Sequence, residues 1–182
     1  MRWIVLLLMS CWSLVGWATE PDWLPAWRDG QAALLMRHAM APGVGDPAGF
    51  QLGDCGTQRN LNAQGRDEAR RWGEWLLAHR VEPRVLTSRW CRARDTAAGF
   101  SVGQVDDFEP LDSFFRRTEQ RSTAIQGMRE LLAQPSERPL LLVSHQVNIT
   151  ALTGLFPASA EVIVIALPLD GEAQVLGRMP VP

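Results

Sequence analysis

Lysine is absent from the 182 residues, so all 18 basic side chains are arginine. The absence excludes a Schiff-base lysine and the phosphate-binding lysine of a Walker-type loop. Guanidinium groups are left to bind any anion, although genomic base composition is the plainer origin of the bias. An excess of charge is lacking too. Eighteen basic against 20 acidic residues give a net charge of −2, so no global positive field draws nucleic acid or an anionic membrane surface. The apolar stretch at residues 3–17 is 15 residues long, short of the roughly 20 that cross a bilayer as a helix. Cysteine is scarce, at three, and no C-x-x-C or H-x-x-x-H spacing is present to build a short-spaced zinc site.

What is there begins with a leader-like pattern. Arg2 precedes the apolar run, and Gly16-Trp17-Ala18 supplies small residues at the −3 and −1 positions of a cleavage site. This pattern predicts a secretory signal peptide over residues 1–18 and a single domain over 19–182. A buried N-terminal helix and a lipoprotein signal ending at Cys11 are the competing readings. The expected compartment is a bacterial periplasm, with no stable membrane span. Removal of the leader leaves Cys55 and Cys91, an even pair in an oxidising compartment. A Cys55–Cys91 disulfide is expected. Two buried thiols, or a zinc site shared with two of His38, His79 and His145, are its alternatives.

Along the mature chain, short apolar runs alternate with helical patterns. Residues 32–36, 85–87, 140–143, 162–167 and 173–177 read as strands. Helices are expected from the Asn62 cap to about His79, over 92–100, over 118–133 and over 148–153. Residues 41–54 are rich in Gly and Pro and read as a loop. The alternation predicts a three-layer α/β/α domain with a mostly parallel central sheet.

Ligands of open α/β sheets bind beyond the carboxyl ends of strands. Three such ends carry Arg37-His38, Ser88-Arg89-Trp90-Cys91-Arg92 and Ser144-His145. Arginine binds phosphate oxygens in a fork and keeps its charge, while histidine can act as nucleophile, base or donor. Two histidines with two or more arginines suit phosphoryl transfer through an N-phosphohistidine, a chemistry that needs no cofactor and no metal.

These residues resemble the histidine phosphatase superfamily, of phosphoglycerate mutase-like fold. Leu34 to Ala39 is similar to its Arg-His-Gly signature, with Ala39 in place of Gly. Arg59 to Gly65 is similar to an Arg-x-Leu-Thr-x-x-Gly segment, Val85 to Ala97 to the Ser-Ser-x-x-x-Arg-Ala segment, and Val143-Ser144-His145 to the late histidine motif. The resemblance implies His38 as nucleophile, with Arg37, Arg92 and His145 as the phosphate pocket. Arg59 is a candidate fifth member or a surface arginine beside a helix cap. A neutral His38 working with a protonated His145 implies a bell-shaped pH profile.

The pattern departs at the general acid. Ser113 falls where larger members carry Glu, and Glu109 and Asp112 flank it. Asp112 is the candidate acid, with a loop-capping role as its alternative. Arg116-Arg117 reads as an extension of the anionic site or as a solvated pair. The expected substrate is a phosphorylated small molecule or phosphosugar. The nearest resemblance is to the small exported branch that includes lipopolysaccharide core heptose phosphate phosphatases. A phosphohistidine or phosphoanhydride phosphatase and a non-catalytic phosphate-binding domain are the rivals.

Overall fold

The short apolar runs form strands, and a sheet buried on both faces satisfies their side chains and their backbone together. The computed structural model describes residues 20–182, so the leader expected at 1–18 and Cys11 lie outside the described residues. Its strands are β1 (Ala32–Arg37), β2 (Arg84–Thr87), β3 (Val105–Asp107), β4 (Leu140–Ser144), β5 (Val162–Ala166) and β6 (Val175–Met179). They form one six-stranded sheet in the order β3-β2-β4-β1-β5-β6. The pairs from β3 to β1 are parallel, and β5 runs antiparallel to both its neighbours. Five strands therefore point one way.

The strand period of two sorts side chains between two cores. Leu34, Met36, Val85, Leu141, Val143, Val162 and Val164 face α1 (Leu24–Arg28), α2 (Ala63–Ala78) and α3 (Cys91–Gly99). Ala33, Leu35, Leu86, Leu140, Leu142, Ile163 and Ile165 face α4 (Arg121–Leu132) and α5 (Gln146–Thr153). The result is the three-layer α/β/α arrangement expected from the sequence.

Local chemistry fixes where the helices start. The Asn62 side chain accepts the Gly65 amide at 2.9 Å and caps α2. A Cβ at Gly65 would lie 2.2 Å from the Met40 carbonyl oxygen, so only glycine lets α2 sit against the segment that follows β1. Residues 118–120 form a 3₁₀ turn rather than the first turn of α4. The last strand lies two residues later than the apolar pattern places it. Helix α1 and strand β3 are additions. Helix α1 is five residues long and held by tertiary contact, the Trp27 indole donating to the Leu140 carbonyl at 2.9 Å. Strand β3 is a polar edge, Val105-Asp106-Asp107, that gains its form by pairing with β2. Among the described residues no helix is long and apolar enough to cross a membrane.

Candidate active site

The sheet order sets β4 between β2 and β1, so their carboxyl ends lie side by side. Arg37 closes β1 and His38 follows it, Ser88 to Arg92 lead from β2 into α3, and Ser144 closes β4 before His145. The four residues Arg37, His38, Arg92 and His145 line one cavity of about 260 Å³ with Arg59 and Asp46. Gln146 and Val147, the first turn of α5, line it as well. The amides of a helix N-terminus favour an anion there.

His38 is 3% exposed, and its hydrogen bonds fix its tautomer. Nδ1 lies 2.8 Å from the Ala39 carbonyl, which can only accept, so Nδ1 carries the proton. Nε2 then holds a lone pair, and Arg92 Nε donates to it at 3.2 Å. Burial, then the Arg92 charge, pushes the His38 pKa down to about 3; Arg37 and Arg59 push the same way against the Ala39 hydrogen bond. The imidazole is a neutral base whose lone-pair nitrogen, Nε2, meets Arg92 at the cavity.

The His145 ring stands edge-on to His38, centroids 5.3 Å apart. Arg92 Nη2 approaches His145 Nδ1 at 3.5 Å and can only donate. The His145 proton therefore sits on Nε2, 2.8 Å from Ser88 Oγ. Ser88 Oγ in turn donates to Asp112 Oδ1 at 3.2 Å. Burial, then His38 and the arginines, lowers the His145 pKa well below its ordinary value. The protonated His145 expected from the sequence is thus corrected: burial first, and the neighbouring charges after it, hold both imidazoles neutral.

Those groups are Arg37, Arg59 and Arg92. Burial and then the Arg92 charge lower the pKa of Arg37 and Arg59 alike, and burial also lowers that of Arg92. Arg37 Nη1 donates to the Pro157 carbonyl at 3.1 Å, and Arg59 Nη1 to the Ala41 and Gly43 carbonyls. The Nε atoms of Arg37 and Arg59 are buried without a partner among the described residues. Unpaired buried guanidinium N–H groups are costly. Two of them around one cavity fit an anion rich in acceptors. Arg59 is thus at the cavity rather than on the surface.

Asp112 is a correction. It does not line the cavity. Arg89 grips its Oδ2 through Nε at 2.7 Å and Nη2 at 2.6 Å, and its Oδ1 accepts the Arg89 amide at 2.8 Å. Asp112 is therefore held outside the cavity, where its carboxyl does not meet a group bound there. Glu109 lies farther out, 75% exposed and paired to Arg89 at 3.0 Å. Ser113 does line the cavity, where it presents a hydroxyl.

Cys55 and Cys91 form the expected disulfide, Cα atoms 5.7 Å apart. With both sulfurs so committed, neither is a zinc ligand. The bridge ties the end of loop 41–54 to the first residue of α3, beside Arg92. His79 lies away from the cavity, stacked on Trp75 at 4.1 Å. Arg116 and Arg117 stand at the cavity mouth, Arg116 exposed and Arg117 half-buried.

Three solved structures are informative for the fold. The protein histidine phosphatase SixA complexed with tungstate is 21% identical over 81% of this chain and 96% of its own, with a TM-score of 0.56. The Rv3214 protein of Mycobacterium tuberculosis is 19% identical over 81% and 96%, with a TM-score of 0.58. Phosphoserine phosphatase from Entamoeba histolytica, complexed with 3-phosphoglyceric acid, is 12% identical over 81% and 95%, with a TM-score of 0.55.

The chain has the histidine phosphatase fold.

No protein-family model matches the chain, and no curated protein does. Within the histidine phosphatase fold, the sequence reading missed three residues at or beside the cavity. Asp46 is held by Arg92 Nη1 at 2.7 Å and Nη2 at 3.3 Å, by the Trp90 indole at 3.0 Å and by the Arg59 amide at 3.3 Å. Ser88 joins His145 to Asp112, and Trp90 orients Asp46. Ser88 and Trp90 lie inside the quoted motif, where only the arginine was given a role. Asp46 is one of two acids in loop 41–54, a segment whose Gly- and Pro-rich sequence, next to the nucleophile motif, marks a loop at the substrate but singles out neither acid.

Proposed function

We propose that this chain is an exported phosphatase, its catalytic domain spanning 19–182, that hydrolyses phosphate esters through a phosphohistidine on His38. The observation that carries the reading is the proton-free Nε2 of His38 set among three guanidinium groups, opposite His145. Arg37, Arg59 and Arg92 hold the equatorial oxygens of the transferring group, and the neutral His145 lines the site with Arg92 against its Nδ1. The guanidinium charge is in place before reaction, which is what lowers the barrier. Phosphate binding alone would need only the arginines, so the buried, tautomer-fixed histidine favours catalysis over a passive anion site. The disulfide supports an oxidising compartment.

The cavity mouth bears on the substrate. Phe50 stacks on Trp90 with centroids 5.2 Å apart, and the Arg117 guanidinium lies 5.6 Å from each ring. Val44 and Phe115 are exposed beside them, with Arg116. This lip suits a ring-shaped organic group bearing further negative charge, such as a multiply phosphorylated sugar. A heptose phosphate of the lipopolysaccharide core belongs to that class, in line with the sequence resemblance. A second reading, a phosphohistidine or phosphoanhydride substrate, is favoured by Ser113, since a good leaving group needs no acid.

Brief reaction with labelled substrate followed by an alkaline quench preserves an acid-labile phosphohistidine for mapping. The label is expected on His38. His38→Ala should abolish both label and turnover, and Arg92→Ala should lower the rate by roughly two to three orders of magnitude. Rapid turnover by wild type that His38→Ala largely retains would overturn the mechanism.

A further inference from the structure

An ester substrate needs a proton donor for its alkoxide, and the carboxylates the sequence offered for that role, Asp112 and Glu109, are both turned away from the cavity. Among the residues that line it, Asp46 is the one carboxylate. We propose that Asp46 is the general acid and base of this site, delivered across the cavity by the loop after the nucleophile rather than by the segment after α3. The proposal rests on the phosphatase reading above and narrows it to esters of poor leaving groups.

The geometry supports a working carboxylate rather than a surface one. Its side chain is 15% exposed and both its oxygens are bound, Oδ1 by Arg92 and the Arg59 amide, Oδ2 by Arg92 and the Trp90 indole. Arg116 Nη1 reaches the Asp46 carbonyl at 3.4 Å from the other side. Gly43 and Gly45, at φ 94° and 69°, take left-handed conformations in the bend that precedes Asp46. Asp46 thus stands where a substrate phosphoryl group would meet Arg92, and occupies its guanidinium as that group would.

Binding of substrate changes what Asp46 faces. Phosphoryl oxygens take over the Arg92 donors, and the carboxylate is left beside a dianion instead of a cation. In the empty site burial raises the Asp46 carboxyl, but the Arg92 hydrogen bond and charge, with Trp90 and the Arg59 amide, bring it below the ordinary value. Loss of Arg92 to the substrate removes the largest of those lowering influences, and like charge then favours a proton on Asp46. Asp46 takes that proton from water as the substrate arrives and stands ready as a neutral carboxylic acid.

The chemistry balances. His38 Nε2 attacks phosphorus, the ester P–O bond breaks with its electron pair on the leaving oxygen, and Asp46 gives that oxygen its proton. The alcohol departs. Asp46, now a carboxylate, takes a proton from water as the water oxygen attacks the phosphohistidine. The P–N bond breaks, its pair returns to Nε2, and inorganic phosphate leaves with Asp46 protonated for release or reuse.

The test is the leaving-group dependence of kcat/KM with 4-nitrophenyl phosphate, phenyl phosphate and an alkyl phosphate. In wild type the dependence should be shallow, because the leaving oxygen is protonated as it departs. Asp46→Asn should lose about a hundredfold or more on the alkyl ester and little on the nitrophenyl ester, with Asp46→Glu partly restoring the former. Equal loss on all substrates would make Asp46 only a clamp for Arg92, and no loss would make it a bystander; either overturns the proposal. A steep dependence in wild type overturns it without any variant. The phosphohistidine label on His38 is read separately in every case. Its absence in wild type strikes the phosphatase mechanism, and its presence beside a failed Asp46 result strikes this proposal alone.

Discussion

At the scale of single residues, the site is a set of hydrogen bonds that each leave one atom free. Ala39 takes the proton side of His38 and leaves Nε2, while Ser88 takes the proton side of His145 and leaves Nδ1. Asp112 acts at the far end of the second chain. Its carboxylate accepts from Ser88 while Arg89 holds it still, so it orients His145 without touching the cavity. That role differs measurably from a general acid. Asp112→Asn should lower kcat/KM by roughly ten- to a hundredfold, as for a lost charged hydrogen bond, and by the same factor for nitrophenyl and alkyl phosphates. A loss confined to alkyl phosphates would return Asp112 to the role of acid. Arg37, His38 and His145 were legible in the sequence because they close or directly follow an apolar strand, and Arg92 because the segment after β2 resembles a known motif. Asp46 was not. It sits in a loop whose path depends on Gly43 and Gly45, and nothing in a loop sequence says which way one carboxylate turns.

At the scale of elements, the cavity keeps its shape because α3 is fastened to the segments on either side of the 41–54 loop. Thr96 Oγ1 in α3 accepts the Ala39 amide at 2.9 Å, Gln58 accepts the Cys91 amide at 3.0 Å, and the disulfide closes the same junction. With a sequence separation of 36, the bridge should stabilise the fold by about 4 kcal/mol on the chain-entropy model, a figure real bridges often fall short of. Protein recovered from the periplasm should begin at Thr19 by intact mass and contain no free thiol. Replacing both cysteines by serine should lower the unfolding free energy by a few kcal/mol and raise KM, since loop and Arg92 lose their common anchor. Free thiols in the exported protein, or an unchanged denaturation midpoint, would contradict this. The helices and inner strands were legible from period and caps. Helix α1 and strand β3 were not, because one is five residues held by a tertiary indole bond and the other is a polar edge held only by β2.

At the scale of the whole molecule, the cationic cavity is a liability in acid. His38 has an ordinary pKa of 6.5 in an open chain but about 3 in the fold. Above 6.5 the imidazole is neutral in both states and has no effect on stability. Between 6.5 and about 3 the unfolded chain binds a proton that the folded chain refuses, so stability falls as the pH falls. Below about 3 both states are protonated and the loss is complete. His145 works in the same direction, because burial and its cationic neighbours depress it too. At pH about 4.5 the His38 contribution alone should be a loss of roughly 2–3 kcal/mol relative to neutral pH, from about 1.4 kcal/mol per unit. Carboxylates elsewhere titrate over the same range, so the comparison that isolates His38 is wild type against His38→Ala, each unfolded in urea at neutral pH and near pH 4.5. The variant has no imidazole to protonate there, and its stability should decline less steeply by that amount. If the two proteins lose stability in parallel, the neutral, buried state of His38 is wrong, and with it the ready-made nucleophile. The same state makes an activity limb near pH 6.5 attributable to the second ionisation of the substrate phosphate, since His38 remains a free base far below that pH.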